Sequence, residues 1–218
     1  MKTLHFFGSS LQELAALPNE WVRRRAAFEL RQMQMGLPNS FTQMPALMSV
    51  AGVQAYALLA RRRVVCVAEG ADAVYVLHAF QKAGQKLHRR EMTLALDRYR
   101  QTATPAATAT AFHASSGNVF FDFGYPEDQA AIMALRADLI GRLRLLAQRQ
   151  GWDQAQTTAR LGIAPTSARD LIHGLWDRFS LDKLVRLATQ AQEAGYGRLH
   201  VPGKAKPTEI RKRARMAG

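Results

Sequence analysis

The 218-residue sequence contains a single cysteine, Cys66. One thiol cannot form an intrachain disulfide, nor can it supply the two or four cysteines of the common zinc frameworks. The sequence also has no run of about 18 apolar residues and no apolar signal-peptide region after Met1. We therefore expect a cytoplasmic protein with no bound metal or cofactor and no membrane partner.

Acidic residues are also scarce. The chain has 17 Asp and Glu residues against 30 Lys and Arg residues, which gives a formal net charge of +13. An excess of this size is typical of proteins that bind phosphate-rich partners, above all nucleic acids. Part of it lies in residues 196–218, where basic residues alternate with Pro202, Gly203 and Pro207. This composition predicts a basic, disordered tail.

The composition changes between residues 102 and 118. There, small residues and threonines replace the charged, periodic pattern found on both sides, and such a segment buries little apolar surface. We therefore predict a linker at 102–118. It separates a first domain at 1–101 from a second domain at 119–195, which is followed by the tail at 196–218.

The predicted first domain mixes strand and helix patterns. Apolar runs of strand length predict a short first strand and then an antiparallel meander, and 3.6-residue periodicity predicts two longer helices. The strands are expected at 3–7, 53–59, 63–68 and 73–80, and the helices at 19–35 and 88–100. The pattern favours an α+β fold with a small antiparallel sheet.

The predicted second domain is entirely helical and contains a helix-turn-helix pattern at 151–174. Asp153 is a good N-cap, Ala155 is small where two helices are expected to touch, and Gly162 allows the turn between them. Pro165 suits the first turn of the second helix, where no N–H is required. An ordinary helical pair is the alternative interpretation of this pattern.

If the pair binds DNA, its second helix presents polar residues to the grooves. We predict contacts from the N-terminal part of that helix and from the start of the first helix, which can donate to a phosphate. The predicted DNA-contacting residues are Gln154, Pro165, Thr166, Ser167, Arg169 and His173.

This stretch, GWDQAQTTARLGIAPTSARDLIHG, resembles the cro/repressor-type (XRE-like) domain of HigA-class antitoxins. The flanking segments at 115–129 and 177–187 resemble the same subgroup. The resemblance implies a DNA-binding regulator that binds the operator of its own promoter, usually as a homodimer. Ala164 and Pro165 depart from the usual Ser-Gln, which removes a capping hydroxyl and an adenine-pairing side chain.

Residues 61–101 contain the segment YVLHAFQKAGQK and resemble the phage-derived HigB-like branch of the RelE superfamily. The resemblance covers residues 2–101 and implies a metal-free endoribonuclease that cuts mRNA, usually on the ribosome. Such cleavage needs cations around the scissile phosphate and a proton-transfer group. The candidate cations are Arg63, Lys82 and Lys86, and the candidate proton-transfer groups are His78 and Tyr75. The alternative is a solvated loop face for the lysines and a packing role for His78 and Tyr75.

One strand departs from the toxin pattern. Where family members have an acidic residue and an arginine, this sequence has Ala55 and Ala57. Losing a phosphate-facing guanidinium removes several kcal/mol of transition-state stabilisation. The sequence thus favours an autoregulator with a self-inhibited or degenerate toxin domain in intramolecular contact with its antitoxin. An active mRNA endoribonuclease controlled by the fused antitoxin is the alternative.

Overall fold

The structure is a computed structural model that describes residues 1–17, 19–43, 54–60, 63–81, 89–102 and 112–196. Two compact units make up the chain, residues 1–138 and residues 139–218. The predicted basic tail lies outside the described residues from position 197 onward, and so do Lys82 and Lys86.

The first unit is α+β, as predicted. It holds six described strands, three described helices beside them, and the start of a helical region. In chain order the elements are β1 (Thr3–Phe7), α1 (Ser10–Ala15), α2 (Glu20–Gln34), β2 (Thr42–Gln43), β3 (Gln54–Ala60), β4 (Arg63–Glu69), β5 (Ala73–Gln81), α3 (Arg89–Thr102), β6 (Phe112–Ala114), α4 (Val119–Asp122) and α5 (Glu127–Arg149).

The strands form one sheet in the order β2-β3-β4-β5-β1-β6. The predicted meander is present, since β3, β4 and β5 pair antiparallel. The sheet is nevertheless mixed rather than wholly antiparallel, because β1 runs parallel to β5. A parallel pair requires a long crossover between its strands, and here the chain from β1 to β5 passes through two helices and the meander. The composition of an apolar run does not determine whether its strand pairs parallel or antiparallel with a neighbour.

Strand β5 contains a bulge that bears on the candidate site. Cys66 of β4 pairs with His78, but the next residue, Val67, pairs with Val76, so Leu77 has no partner in β4. Bulges of this kind re-aim side chains. Beside it, α3 packs Ala95 and Tyr99 against the sheet in a buried cluster with Cys66 and Leu77. Burial raises the pKa of the Cys66 thiol to about 12.

Part of the predicted linker is ordered into the sheet. Residues 112–114 form β6, which pairs antiparallel with β1, and the backbone N–H of Ser115 donates to Leu4. The free edge of β1 has backbone groups that need hydrogen-bond partners, and this segment supplies them. Residues 103–111 lie outside the described residues.

Helix α4 and the beginning of α5 belong to the first unit, so the compact units do not follow the predicted boundary at 118/119. Arg31 of α2 explains the difference, because its guanidinium donates to both carboxylate oxygens of Asp138 (2.8 and 2.9 Å) and to the carbonyl of Gly117 (3.1 Å). Its neighbour Gln32 donates to the carbonyl of Ala137 (2.9 Å). These buried polar contacts attach α5 to α2.

The second unit is helical in its described part. After the end of α5 come α6 (Gln154–Leu161), α7 (Pro165–Ile172), a short 3-10 helix (Trp176–Arg178) and α8 (Leu181–Glu193). Their apolar faces bury Leu161, Leu171, Phe179 and Leu184. None of the helices in the described residues is long and apolar enough to cross a membrane.

Candidate nucleic-acid interface

Helix α6 and its turn have the local geometry that the sequence predicts. A capping box starts the helix: Asp153 accepts from the N–H of Gln156 (2.7 Å), and the Gln156 side chain accepts from the N–H of Asp153 (3.0 Å). The helix ends at Gly162 in the left-handed conformation, with φ 59°. A Cβ at this position would meet no atom within 4 Å, so the constraint is the backbone angle and not space.

Ala155 does not lie at the buried contact between the helices that the sequence predicts for it. Ala155 is exposed, whereas Thr157 is fully buried and donates through its hydroxyl to the carbonyl of Asp153 (2.7 Å). The hydroxyl remains in the helix interior by bonding one turn back. Thr157, two positions after Ala155, is thus a buried polar residue whose hydroxyl is satisfied within its own helix.

Helix α7 presents most of the predicted DNA-contacting residues. It begins at Pro165 after Ala164, an N-cap with no side-chain hydrogen bond, and it buries Ala168 and Leu171. The residues on its exposed face, or at its end, are Pro165, Thr166, Arg169 and His173. Arg144 of α5 donates to the carbonyl of Ile172 (3.2 Å) and so fixes the C-terminal end of α7.

Two predicted contact residues are already engaged within the domain. The Gln154 side chain donates to the carbonyl of Pro165 (3.1 Å) and links the starts of the two helices. Ser167 is half-buried and accepts from the ammonium group of Lys183 (3.0 Å) on α8. Lys183 is not among the predicted contact residues, because it lies in a later helix outside the motif.

The predicted nuclease residues are not all brought together by the described part of the structure. Arg63 is the first residue of β4, where its backbone pairs with Ala60 and Gln81. Tyr75 is half-buried, stacked on His5 (5.3 Å between ring centroids) and in edge contact with Phe112 (5.0 Å). These contacts favour the packing role that sequence analysis left open for Tyr75.

His78 lies in a polar cluster that sequence analysis did not foresee. Its Nδ1 is 2.7 Å from Oε2 of Glu13 on α1, and its Nε2 is 2.7 Å from Oε2 of Glu91 on α3. With both carboxylates ionised, only the doubly protonated imidazole can donate to Glu13 and Glu91 at the same time. Arg98 donates to Glu13 (3.1 Å) and to the carbonyl of Leu77 (2.7 Å).

The cluster changes the proton affinities of its members. Burial raises the pKa of Glu13, but hydrogen bonds from His78, the Ala79 N–H and Ser9 outweigh burial and bring the pKa to about 2. Burial lowers the pKa of His78, but hydrogen bonds to Glu13 and Glu91 outweigh it, and the net shift is upward. Both ring nitrogens of His78 therefore lie against carboxylates, and this contact favours its charged form.

Within the described residues, no group of three or more His, Cys, Asp or Glu side chains is arranged to hold a metal ion.

Comparison with protein families assigns the two parts of the chain. The model of the family described as phage-derived protein Gp49-like matches residues 12–100, and a helix-turn-helix domain model matches residues 119–193. The chain joins a Gp49-like domain to a helix-turn-helix domain. This pair matches the predicted fusion of a RelE-like toxin with a helix-turn-helix antitoxin. Neither a curated protein nor a solved structure matches the chain.

The Arg31–Asp138 contact joins the two regions that the family models match. Arg31 lies in the Gp49-like domain, and Asp138 lies in the part of the chain that the helix-turn-helix model covers. Both belong to the first compact unit. Helices α4 and α5 therefore begin the helix-turn-helix domain while their contacts include α2 of the Gp49-like domain.

Proposed function

We propose that this protein is a sequence-specific, DNA-binding autoregulator of the HigA/HigB toxin–antitoxin type, in which the Gp49-like domain is self-inhibited or degenerate. The observation that carries the proposal is the helix-turn-helix geometry itself. Gly162 forms the turn, the apolar side of α7 is buried, and Thr166 and Arg169 remain exposed near the start of that helix. Residues at this place on a recognition helix contact base edges.

The net charge of the chain also supports DNA as the partner. A net charge of +13 favours DNA through phosphate neutralisation and counterion release. A DNA-bound regulator of this type acts in the cytoplasm. A homodimer would span two half-sites about one helical turn apart, and sedimentation of the full chain with and without operator DNA tests that arrangement.

Two features support a silent toxin domain. Ala55 and Ala57 replace the acidic residue and arginine of the HigB-like pattern, which removes a group that would stabilise the transition state. In addition, Arg31 is paired with Asp138 and only 9% exposed, so it does not offer its charge to RNA. We propose the modules 1–101 and 119–195, with the basic tail at 196–218 as an auxiliary DNA contact.

The alternative is an active mRNA endoribonuclease with Arg63, Lys82 and Lys86 around the scissile phosphate, acting on ribosome-bound mRNA. The match of residues 12–100 to the Gp49-like family is the observation that favours it. In this case the helix-turn-helix domain would serve to restrain the enzyme.

A mobility-shift titration tests the DNA-binding proposal. The full chain should shift its own upstream DNA at lower protein concentrations than a scrambled duplex of equal length, and the affinity should fall as salt rises. The double variant T166A/R169A should reduce the preference and leave the fold intact by circular dichroism. Equal affinity for both duplexes in the wild-type chain would exclude sequence-specific binding.

A cleavable chain separates the two proposals for the Gp49-like domain. A specific protease site placed within residues 103–111 allows the connection to be cut in cells, with the uncut chain and the protease alone as controls. A degenerate toxin domain predicts unchanged growth and intact mRNA after the cut. Growth arrest with mRNA cleavage that depends on Arg63 would establish the nuclease instead.

A further inference from the structure

A cleft in the second unit lies between the α6–α7 turn and helix α8. Its volume is about 250 Å³, and its lining includes Gly162, Ser167, Lys183, Arg186 and Gln190. Two of the lining residues are cations, and none is a carboxylate. The cleft also adjoins the start of α7, the helix that presents the predicted base contacts. Its charge therefore suits an anion.

Lys183 is held in place at this cleft. Its ammonium nitrogen lies 3.0 Å from the Ser167 hydroxyl and 5.1 Å from the centre of the Phe179 ring. An ammonium group has three donors, and the Ser167 bond uses one of them. Among the described residues, no carboxylate forms an ion pair with Lys183 or Arg186. Both charges are thus free to meet a ligand.

The backbone at the start of α7, beside Ser167, also favours an anion in the cleft. The N-cap, Ala164, has no side chain that could accept from the first-turn N–H groups of α7, and because Pro165 has no N–H, the first donors are those of Thr166 and Ser167. The N-terminal end of a helix carries a partial positive charge that favours phosphate groups. A cation pair, a hydroxyl and a helix end without a capping side chain therefore converge on one cleft.

We propose that the Ser167–Lys183–Arg186 cleft binds a phosphate of the DNA backbone and so sets the position of α7 in the groove. This inference rests on the proposed DNA-binding function and assigns the task of base recognition to Thr166 and Arg169. Ser167 then becomes a positioning residue that orients Lys183, rather than a base contact. Lys183 and Arg186 add affinity that is independent of sequence, as phosphate contacts do.

The test compares the salt dependence of DNA affinity for the full-length wild type, K183M and R186Q. Each variant should bind specific and scrambled duplexes more weakly by a similar factor. Each should also flatten the plot of log affinity against log salt by about 0.9, the contribution of one phosphate contact. R149Q removes one charge from an exposed helix end that does not line the cleft, and it is the matched control.

The possible results separate a failure of the cleft proposal from a failure of the DNA-binding proposal. If K183M and R186Q keep the wild-type slope while the wild type shows a specific shift, the cleft proposal is wrong and the DNA-binding proposal stands. If the wild type lacks a specific shift, the DNA-binding proposal fails by itself. Inorganic phosphate, titrated at constant ionic strength, tests for a free anion: thermal stabilisation lost in K183M, with an unchanged DNA slope, would overturn the assignment to backbone phosphate.

Discussion

Arg31 and Asp138 lie 107 positions apart and form a buried bidentate ion pair, with N–O distances of 2.8 and 2.9 Å. Each residue belongs to a different family match, so the pair joins the Gp49-like domain to the start of the helix-turn-helix domain. Because α5 begins in the first compact unit, the Gp49-like domain is not structurally separate from the segment that follows it.

We expect R31A to lower the free energy of unfolding by about 3–5 kcal/mol, since it leaves the Asp138 carboxylate buried without its partner. D138N should cost less, because the amide oxygen that replaces the carboxylate can still accept from Arg31, and the guanidinium also keeps its bond to the Gly117 carbonyl. The double variant R31M/D138L should be more stable than R31A, because two apolar side chains remove both desolvation costs. Urea unfolding followed by circular dichroism measures all three variants, and an R31M/D138L chain no more stable than R31A would refute the expectation.

The cluster of Glu13, His78, Glu91 and Arg98 predicts a stability that depends on pH. The folded pKa of His78 lies above the ordinary histidine value of 6.5, so its contribution is fully present below pH 6.5 and is lost as the pH rises through the folded value. Glu13 acts in the opposite direction, because its folded pKa of about 2 lies below 4.5. Its contribution is present above pH 4.5 and is lost as the pH falls toward 2.

The unfolding free energy should therefore be greatest between pH 4.5 and 6.5, as far as this cluster determines it. H78Q keeps one hydrogen bond, lacks the titration, and should flatten the alkaline side of the profile. The histidine resonance in NMR titration gives the pKa of His78 directly. A value below 6.5 in the folded chain would contradict the placement of His78 between two carboxylates.

Replacing Gly162 tests the turn between α6 and α7. G162A should cost about 1 kcal/mol of stability, because φ of 59° is unfavourable for a side chain with a Cβ while the surrounding space is empty. G162N should cost less, since asparagine tolerates the left-handed region better. Thermal unfolding of the full chain measures the difference, and equal stability of G162A and wild type would show that the turn has another conformation.

Arg169 should provide sequence discrimination. We expect R169A to lose about 1–3 kcal/mol of discrimination at one operator position while its affinity for scrambled DNA changes little, apart from the loss of one charge. R169K keeps the charge but cannot form the bidentate pair with guanine. A binding selection over randomised operators would identify the position, and an unchanged preference in both variants would remove Arg169 from the base contacts.

Local patterns predicted the parts of the chain that local physics governs. The capping residue Asp153, the glycine at 162 and the apolar spacing around them require only neighbours in sequence, and the structure has α6 and α7 where these signals predict them. The meander likewise follows from three apolar runs and their turns. Both segments lie within the residues that the two family models match.

Tertiary structure alone decided the remaining features, because each depends on residues far apart in the chain. The parallel pairing of β1 with β5 and the capture of 112–114 as β6 depend on which backbone edges remain open. The environment of His78 depends on Glu13, 65 positions away. An arginine on a helix is usually exposed to solvent, yet Arg31 is buried because it forms an ion pair with Asp138. Sequence alone determined the two modules, and folding decided which of their charges remain available to a partner.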